Sequence, residues 1–135
     1  MSNLIQPSEF LRRAMMADAL ASTLLGVVLT FDAAALHGPF GLPAPLLTLA
    51  GAASLPYAAY LSWLATHAAV PRAAVWAPIV LNVIWAADLL PLALAVDPSP
   101  TALGQAFVAV QVIGALLFAE LEFVGLRRAC AIVAA

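Results

Sequence analysis

The sequence predicts an all-α integral membrane protein, an up-down bundle of four helices with both termini in the cytoplasm. Three observations lead there. Of 135 residues, 65% are hydrophobic and 9% charged, against about 45–50% apolar and about 25% charged in an ordinary soluble domain. Four apolar stretches are each long enough to cross a bilayer. All five positive charges are arginines, and they fall where those stretches would share one end. One domain accounts for residues 1–135.

A helix rises about 1.5 Å per residue, so about 20 residues cross a hydrocarbon core of about 30 Å. Spans are expected at about 10–36, 46–67, 73–96 and 102–126. Arg12 and Arg13 before the first run give it the look of a signal peptide. That run, however, exceeds twenty residues and contains Asp18, whereas a signal core is about 7–15 residues long; it reads as the first span. The breaks have turn chemistry. Residues 37–45 (HGPFGLPAP) hold three prolines, each without an N–H and each biasing its predecessor away from the helical region. Val70-Pro71-Arg72 predicts a tight turn, and Asp97-Pro98-Ser99-Pro100-Thr101 another, with Thr101 as the cap of the last helix. No stretch alternates apolar and polar residues as a membrane barrel strand would.

Arg12 and Arg13 precede the first span, Arg72 lies between the second and third, and Arg127 and Arg128 follow the fourth. With four spans these locations share one side, which the positive-inside rule assigns to the cytoplasm. Short loops make consecutive helices antiparallel neighbours. Trp63 and Trp76 flank the arginine-bearing loop and read as interfacial anchors.

Several chemistries are excluded. A net charge of −2 gives no basic nucleic-acid surface, and a chain without lysine forms no Schiff base. The single cysteine, Cys130, makes no internal disulfide. His37 and His67 belong to opposite ends of the membrane and cannot share a metal. No phosphate loop, HExxH or nucleophile elbow occurs, and Ser22, Ser54 and Ser62 have no histidine at matching depth. No catalytic residue, metal or cofactor is therefore expected.

The polar residues inside the spans need a reason, because a central charge costs about 2.5–3.5 kcal/mol on insertion scales. Counted from Arg12, Asp18 lies about 9 Å deep; Glu122 and Glu120, counted from Arg127, lie about 7.5 and 10 Å deep. One reading is a salt-bridge belt with the nearby arginines that locks span one to span four. The other is a proton- or cation-binding carboxylate cluster. Glu120 and Glu122 point about 200° apart, so they cannot face one partner. On span three, Asn82, Trp85 and Asp88 follow at i, i+3 and i+6, with Pro78 one turn earlier freeing a backbone carbonyl. Asn82 is about 15 Å from Arg72, near the midplane. Gly104, Gln111, Ala115, Phe118, Glu122 and Gly125 form a seam on span four, and Asp18, Ser22, Leu25, Leu29 and Asp32 one on span one. These groups serve either as interhelical glue or as the lining of a polar pocket, with Tyr57, Tyr60 and Trp85 as aromatic walls.

Residues 42–47 (LPAPLL), Leu55-Pro56-Tyr57, Leu81-Asn82-Val83-Ile84-Trp85 and the closing stretch 119–128 (AELEFVGLRR) together resemble a group of small bacterial four-span inner-membrane proteins of unassigned function. In layout the chain is loosely similar to DoxX-like proteins. Neither resemblance implies a catalytic residue. The first functional reading is a non-enzymatic scaffold or accessory subunit of a membrane assembly, partnered by the bilayer and by another membrane protein or a second copy. The alternative is a proton-coupled carrier or binder of a small organic cation or apolar molecule. Asp18, Glu120 and Glu122 would then form the proton site, and Asn82, Trp85, Asp88 and Gln111 would line the path.

Overall fold

The computed structural model describes residues 3–94 and 100–131; Asp97-Pro98-Ser99 of the expected third loop and the end of the expected third span lie outside them. The elements in order are β1 (Leu4–Gln6), α1 (Glu9–Phe31), α2 (Ala33–Phe40), α3 (Ala44–Thr66), β2 (Val70–Pro71), α4 (Arg72–Ala93), α5 (Ala102–Arg128) and β3 (Cys130–Ala131). Among the described residues α1, α3, α4 and α5 are long and apolar enough to cross a membrane. They match the four expected spans.

Local chemistry sets the ends of these helices. Ser8 caps α1 by accepting a hydrogen bond from the Leu11 N–H at 3.2 Å, with Glu9 in the positively polarised first turn. Thr101 caps α5 in the same way, accepting from the Gly104 N–H at 3.1 Å, as its position predicts. The first span is shorter than expected. At Asp32 (φ −108°, ψ 12°) the chain leaves α1 and restarts as α2, so residues 33–36 belong to a separate short helix. That helix ends at Gly41, whose φ of 62° is a left-handed conformation that favours glycine. Pro45 sits in the first turn of α3, where its missing N–H costs nothing.

The packing divides into two pairs. α1 lies along α3 and α4 along α5; α1 against α5 joins the pairs, while α3 and α4 make few contacts. The α1–α3 crossing is close because Gly26 and Gly51 face one another. A Cβ on Gly51 would stand 2.6 Å from the Thr30 amide nitrogen, and one on Gly26 would stand 3.0 Å from the Gly51 carbonyl. Lipid tails are as apolar as leucine, so such small-residue crossings supply the packing that water would otherwise drive.

Each end of the bundle is fastened differently. At one end, the Thr101 N–H donates to the Phe40 carbonyl at 3.0 Å and its hydroxyl donates to the Pro39 carbonyl at 2.6 Å. Phe40 also stacks on Phe107 at 4.7 Å. At the other end, β1 pairs antiparallel with both β2 and β3 in a small sheet of order β2-β1-β3. This sheet is an addition to the helical body that the apolar periodicity did not foreshadow. The turn at Val70-Pro71 is one of its strands. All five arginines lie on the helices that meet this sheet. Arg12 donates to the Ala65 and His67 carbonyls, at 2.5 and 2.8 Å, and so satisfies the C-terminal end of α3.

Two apolar clusters fill the bundle. One, near the sheet, includes Ile5, Leu11, Met15, Leu61, Leu64, Val75 and Leu126; the other, near the Thr101 fastening, includes Leu29, Leu42, Leu47 and Val108. Among the described residues the three buried polar side chains, Asp18, Asn82 and Glu122, sit in the helical interior, whereas Leu20, Leu24, Leu49, Val110 and Ile113 are turned outward. Buried polar groups at the centre and large aliphatic groups outside are what a hydrocarbon solvent selects, although Asp88 and Glu120 are exposed.

Replacing Gly51 with valine forces α1 and α3 apart and is expected to destabilise the fold by about 1–3 kcal/mol. Gly114→Ala, where an added Cβ meets nothing within 4 Å, is expected to be neutral. Unfolding of both variants by sodium dodecyl sulfate from mild-detergent micelles, followed by circular dichroism, measures the difference.

Candidate binding site

Asp18 is the centre of the site. It lies halfway along α1, 3% exposed, and its carboxylate accepts three hydrogen bonds. The Tyr57 hydroxyl donates to Oδ2 at 2.7 Å and the Asn82 amide donates to the same oxygen at 2.9 Å. The Ser22 hydroxyl donates to Oδ1 at 3.1 Å. Tyr57 comes from α3 and Asn82 from α4, so one carboxylate ties three helices together.

The sequence reading put Asp18 and Asn82 at different depths, about 9 and about 15 Å, yet here they touch. The discrepancy comes from the anchor. Arg12 sits nearly a turn inside α1 and folds back onto the end of α3. Counted from the helix start at Glu9, Asp18 is about 13 Å deep, level with Asn82.

The salt-bridge belt is not formed. Among the described residues the one ion pair is Arg13–Glu9, at 2.9 Å and exposed on both sides. Arg127 lies over the Phe123 ring and Arg128 over the Phe10 ring, 5.8 and 5.2 Å from the centroids. These cation–π contacts hold the guanidiniums at the surface, away from the carboxylates. Glu120 and Glu122 diverge as their spacing requires: Glu120 is exposed, and Glu122 is completely buried. Glu122 lies beside Asp18, Asn82 and Tyr57, and neither of its carboxyl oxygens has a hydrogen-bond partner.

Next to this polar layer is a cavity of about 430 Å³ between α1, α3, α4 and α5. Five of the seven residues singled out in the sequence line it: Asp18, Asn82, Trp85, Asp88 and Gln111. Glu122 lies just outside the lining, and Glu120 faces away on the outer surface of α5. Tyr57, Phe118 and Leu25 add apolar wall, while Ala21, Ala53 and Gly114 leave the space open. The lining includes two carboxylates and no arginine or histidine. Its electrostatics therefore favour a cation, and its walls favour an apolar body.

Prolines shape the surroundings. Pro78 on α4 has no N–H for the Ala74 carbonyl four residues back. The Tyr60 hydroxyl donates to that carbonyl at 2.7 Å instead. Tyr60 is thus a brace between α3 and α4 and not a wall of the cavity. Trp63 and Trp76 are both exposed, their rings tilted against those of His67 and Phe123 respectively. His37 and His67 each bond a nearby backbone carbonyl through Nδ1, at 2.7 Å, and among the described residues no three His, Cys, Asp or Glu side chains cluster to hold a metal. What sequence reasoning missed is the role of Tyr57 as donor to Asp18. The signal was present in its depth on α3, but distance along the chain says nothing of which helix face meets which.

Tyr57→Phe removes a donor to a buried carboxylate and is expected to destabilise the protein by about 1.5 kcal/mol. Tyr60→Phe, which frees only a neutral carbonyl, is expected to cost about half as much. Detergent-unfolding midpoints of the two variants rank them.

Comparison with known proteins finds no match for this chain among family models, curated proteins or solved structures.

Proposed function

We propose that this protein binds, and carries across its membrane, a small and mostly apolar organic cation, seated in the cavity with its charge at Asp18. The observation that supports this best is the cavity's composition: aromatic and aliphatic walls around a fixed carboxylate, with a second carboxylate, Asp88, about 9 Å further along α4. A volume of about 430 Å³ falls in the range of small-molecule sites, about 300–1,000 Å³. Trp85, Tyr57 and Phe118 put aromatic rings in the lining, a chemistry suited to a cation. A purely scaffolding role leaves these features without a purpose, since glue between helices calls for direct contacts and not for an acid-lined space.

The arginine-bearing end, with β1 and β3 beside it, faces the cytoplasm in this reading, on the positive-inside rule. The bacterial inner membrane is the setting that the sequence resemblance implies. The Thr101–Phe40 end then faces outward.

A quaternary arylammonium such as benzyltrimethylammonium tests the reading. In a Trp63→Phe, Trp76→Phe background Trp85 is the remaining tryptophan. Saturable quenching of its fluorescence is expected, weakened about tenfold or more, that is by at least about 1.4 kcal/mol, in Asp18→Asn. Benzoate is expected not to bind. Equal binding of both probes, or an unchanged affinity in Asp18→Asn, rejects the proposal. For orientation, Phe40→Cys in a Cys130→Ala background is expected to react with a membrane-impermeant maleimide from outside intact cells; protection from outside, with labelling from the cytosol, reverses the assignment.

A further inference from the structure

Among the described residues Glu122 is the one buried acid that cation binding in the cavity does not use. It is fully buried on α5, both carboxyl oxygens lack partners, and the groups around it are acidic or neutral. Asp18 from α1 and Asn82 from α4 are its polar neighbours, with Tyr57 of α3 in the same layer. No arginine compensates it: Arg12 is bonded to the end of α3, Arg13 to Glu9, Arg72 is exposed at the start of α4, and Arg127 and Arg128 cover phenyl rings.

The neighbouring carboxyls are therefore treated oppositely. Asp18 accepts three hydrogen bonds, the pattern that stabilises an anion. Glu122 accepts none, and a neutral acid tolerates that surrounding far better than an anion does. Two adjacent negative charges without a cation are strongly disfavoured in such a place.

We propose that Glu122 holds a proton in the polar layer and releases it when an organic cation reaches Asp18, so that the Asp18–Glu122 pair is a proton-for-cation exchange site. This rests on the reading of the cavity as an organic-cation site. Before exchange the pair carries one negative charge, on Asp18, and one O–H, on Glu122. The arriving cation neutralises Asp18 and removes the repulsion that opposed a second ionisation. The Glu122 O–H bond then breaks, its electron pair stays on the carboxylate, and the proton passes to water. One positive charge enters and one leaves, so the net charge of the layer is unchanged.

Infrared spectroscopy of the protein in lipid nanodiscs at neutral pH tests the resting state. The carbonyl band of a protonated carboxylic acid is expected in the wild type, lost in Glu122→Gln and kept in Glu120→Gln and Asp88→Asn. Isotopic labelling of glutamate carboxyls in the wild type shifts the same band and serves if Glu122→Gln fails to assemble. Benzyltrimethylammonium has no dissociable proton of its own. Its binding is expected to bleach the band and to release one proton per bound cation into weakly buffered medium, and Asp18→Asn is expected to abolish the release. A wild type without the band, or a band that survives in Glu122→Gln or ignores the glutamate label, overturns the proton on Glu122. Binding of the probe without bleaching overturns the exchange while leaving the cavity reading intact. A Glu122 band with no probe binding overturns the cavity reading, and the exchange with it, while the proton itself stands.

Discussion

The Asp18 carboxylate is the constraint on which the rest of the bundle depends. In water an aspartate needs no protein partner; in the middle of an apolar helix it must find donors or raise the cost of inserting the whole span. Its own helix offers one, Ser22, a turn away. The other two come from Tyr57 and Asn82, and they exist only when α3 and α4 are in place. Satisfying one side chain thus selects a mutual arrangement of three helices, and α5 completes the layer by bringing Glu122 beside it.

Association of helices in lipid lacks the hydrophobic driving force that assembles soluble bundles. The structure compensates with short, local devices. Gly26 and Gly51 let α1 and α3 approach closely, and Tyr60 exploits the carbonyl that Pro78 releases to brace α3 against α4. The sheet and the Thr101 fastening close the two ends. Between these fixed points α3 and α4 touch little, and the small side chains at Ala21, Ala53 and Gly114 do not fill the gap. The cavity is the region that none of the fastenings reaches.

The spans, the break around Val70-Pro71, the Thr101 cap and the shared end of the five arginines are legible in the sequence because each is a property of one segment; the proline-rich stretch 37–45 is not, since residues 37–40 stay helical in α2 with Pro39 inside it. Hydropathy and proline spacing need no knowledge of neighbours. The polar face Asn82–Trp85–Asp88 and the α5 seam from Gly104 to Gly125 are legible for the same reason, since helical periodicity places them. What the sequence conceals is pairing. Nearness along the chain suggests that Arg12 and Arg127 neutralise Asp18 and Glu122, but the guanidiniums turn to backbone carbonyls and phenyl rings at the surface, where they keep their contact with water. The helix break at Asp32 and the three-stranded sheet are likewise decided by tertiary contacts, the sheet by strands of only two or three residues that carry almost no periodic signal.

The two carboxyls of the polar layer differ in what holds them there. Asp18 is held by hydrogen bonds, so its burial has a structural return. Glu122 is held by the helix crossing itself. One turn further along α5, Gly125 packs so closely on Leu11 that a Cβ there would stand 2.9 Å from the leucine side chain, and this close approach of α5 to α1 keeps the Glu122 face of the helix turned inward. A leucine in that position would fill the same space without a desolvated acid and with better packing. A residue that weakens the fold where a simpler one would strengthen it, and that stands beside the Asp18 carboxylate of an acid-lined cavity, is better explained by ionisation chemistry than by architecture.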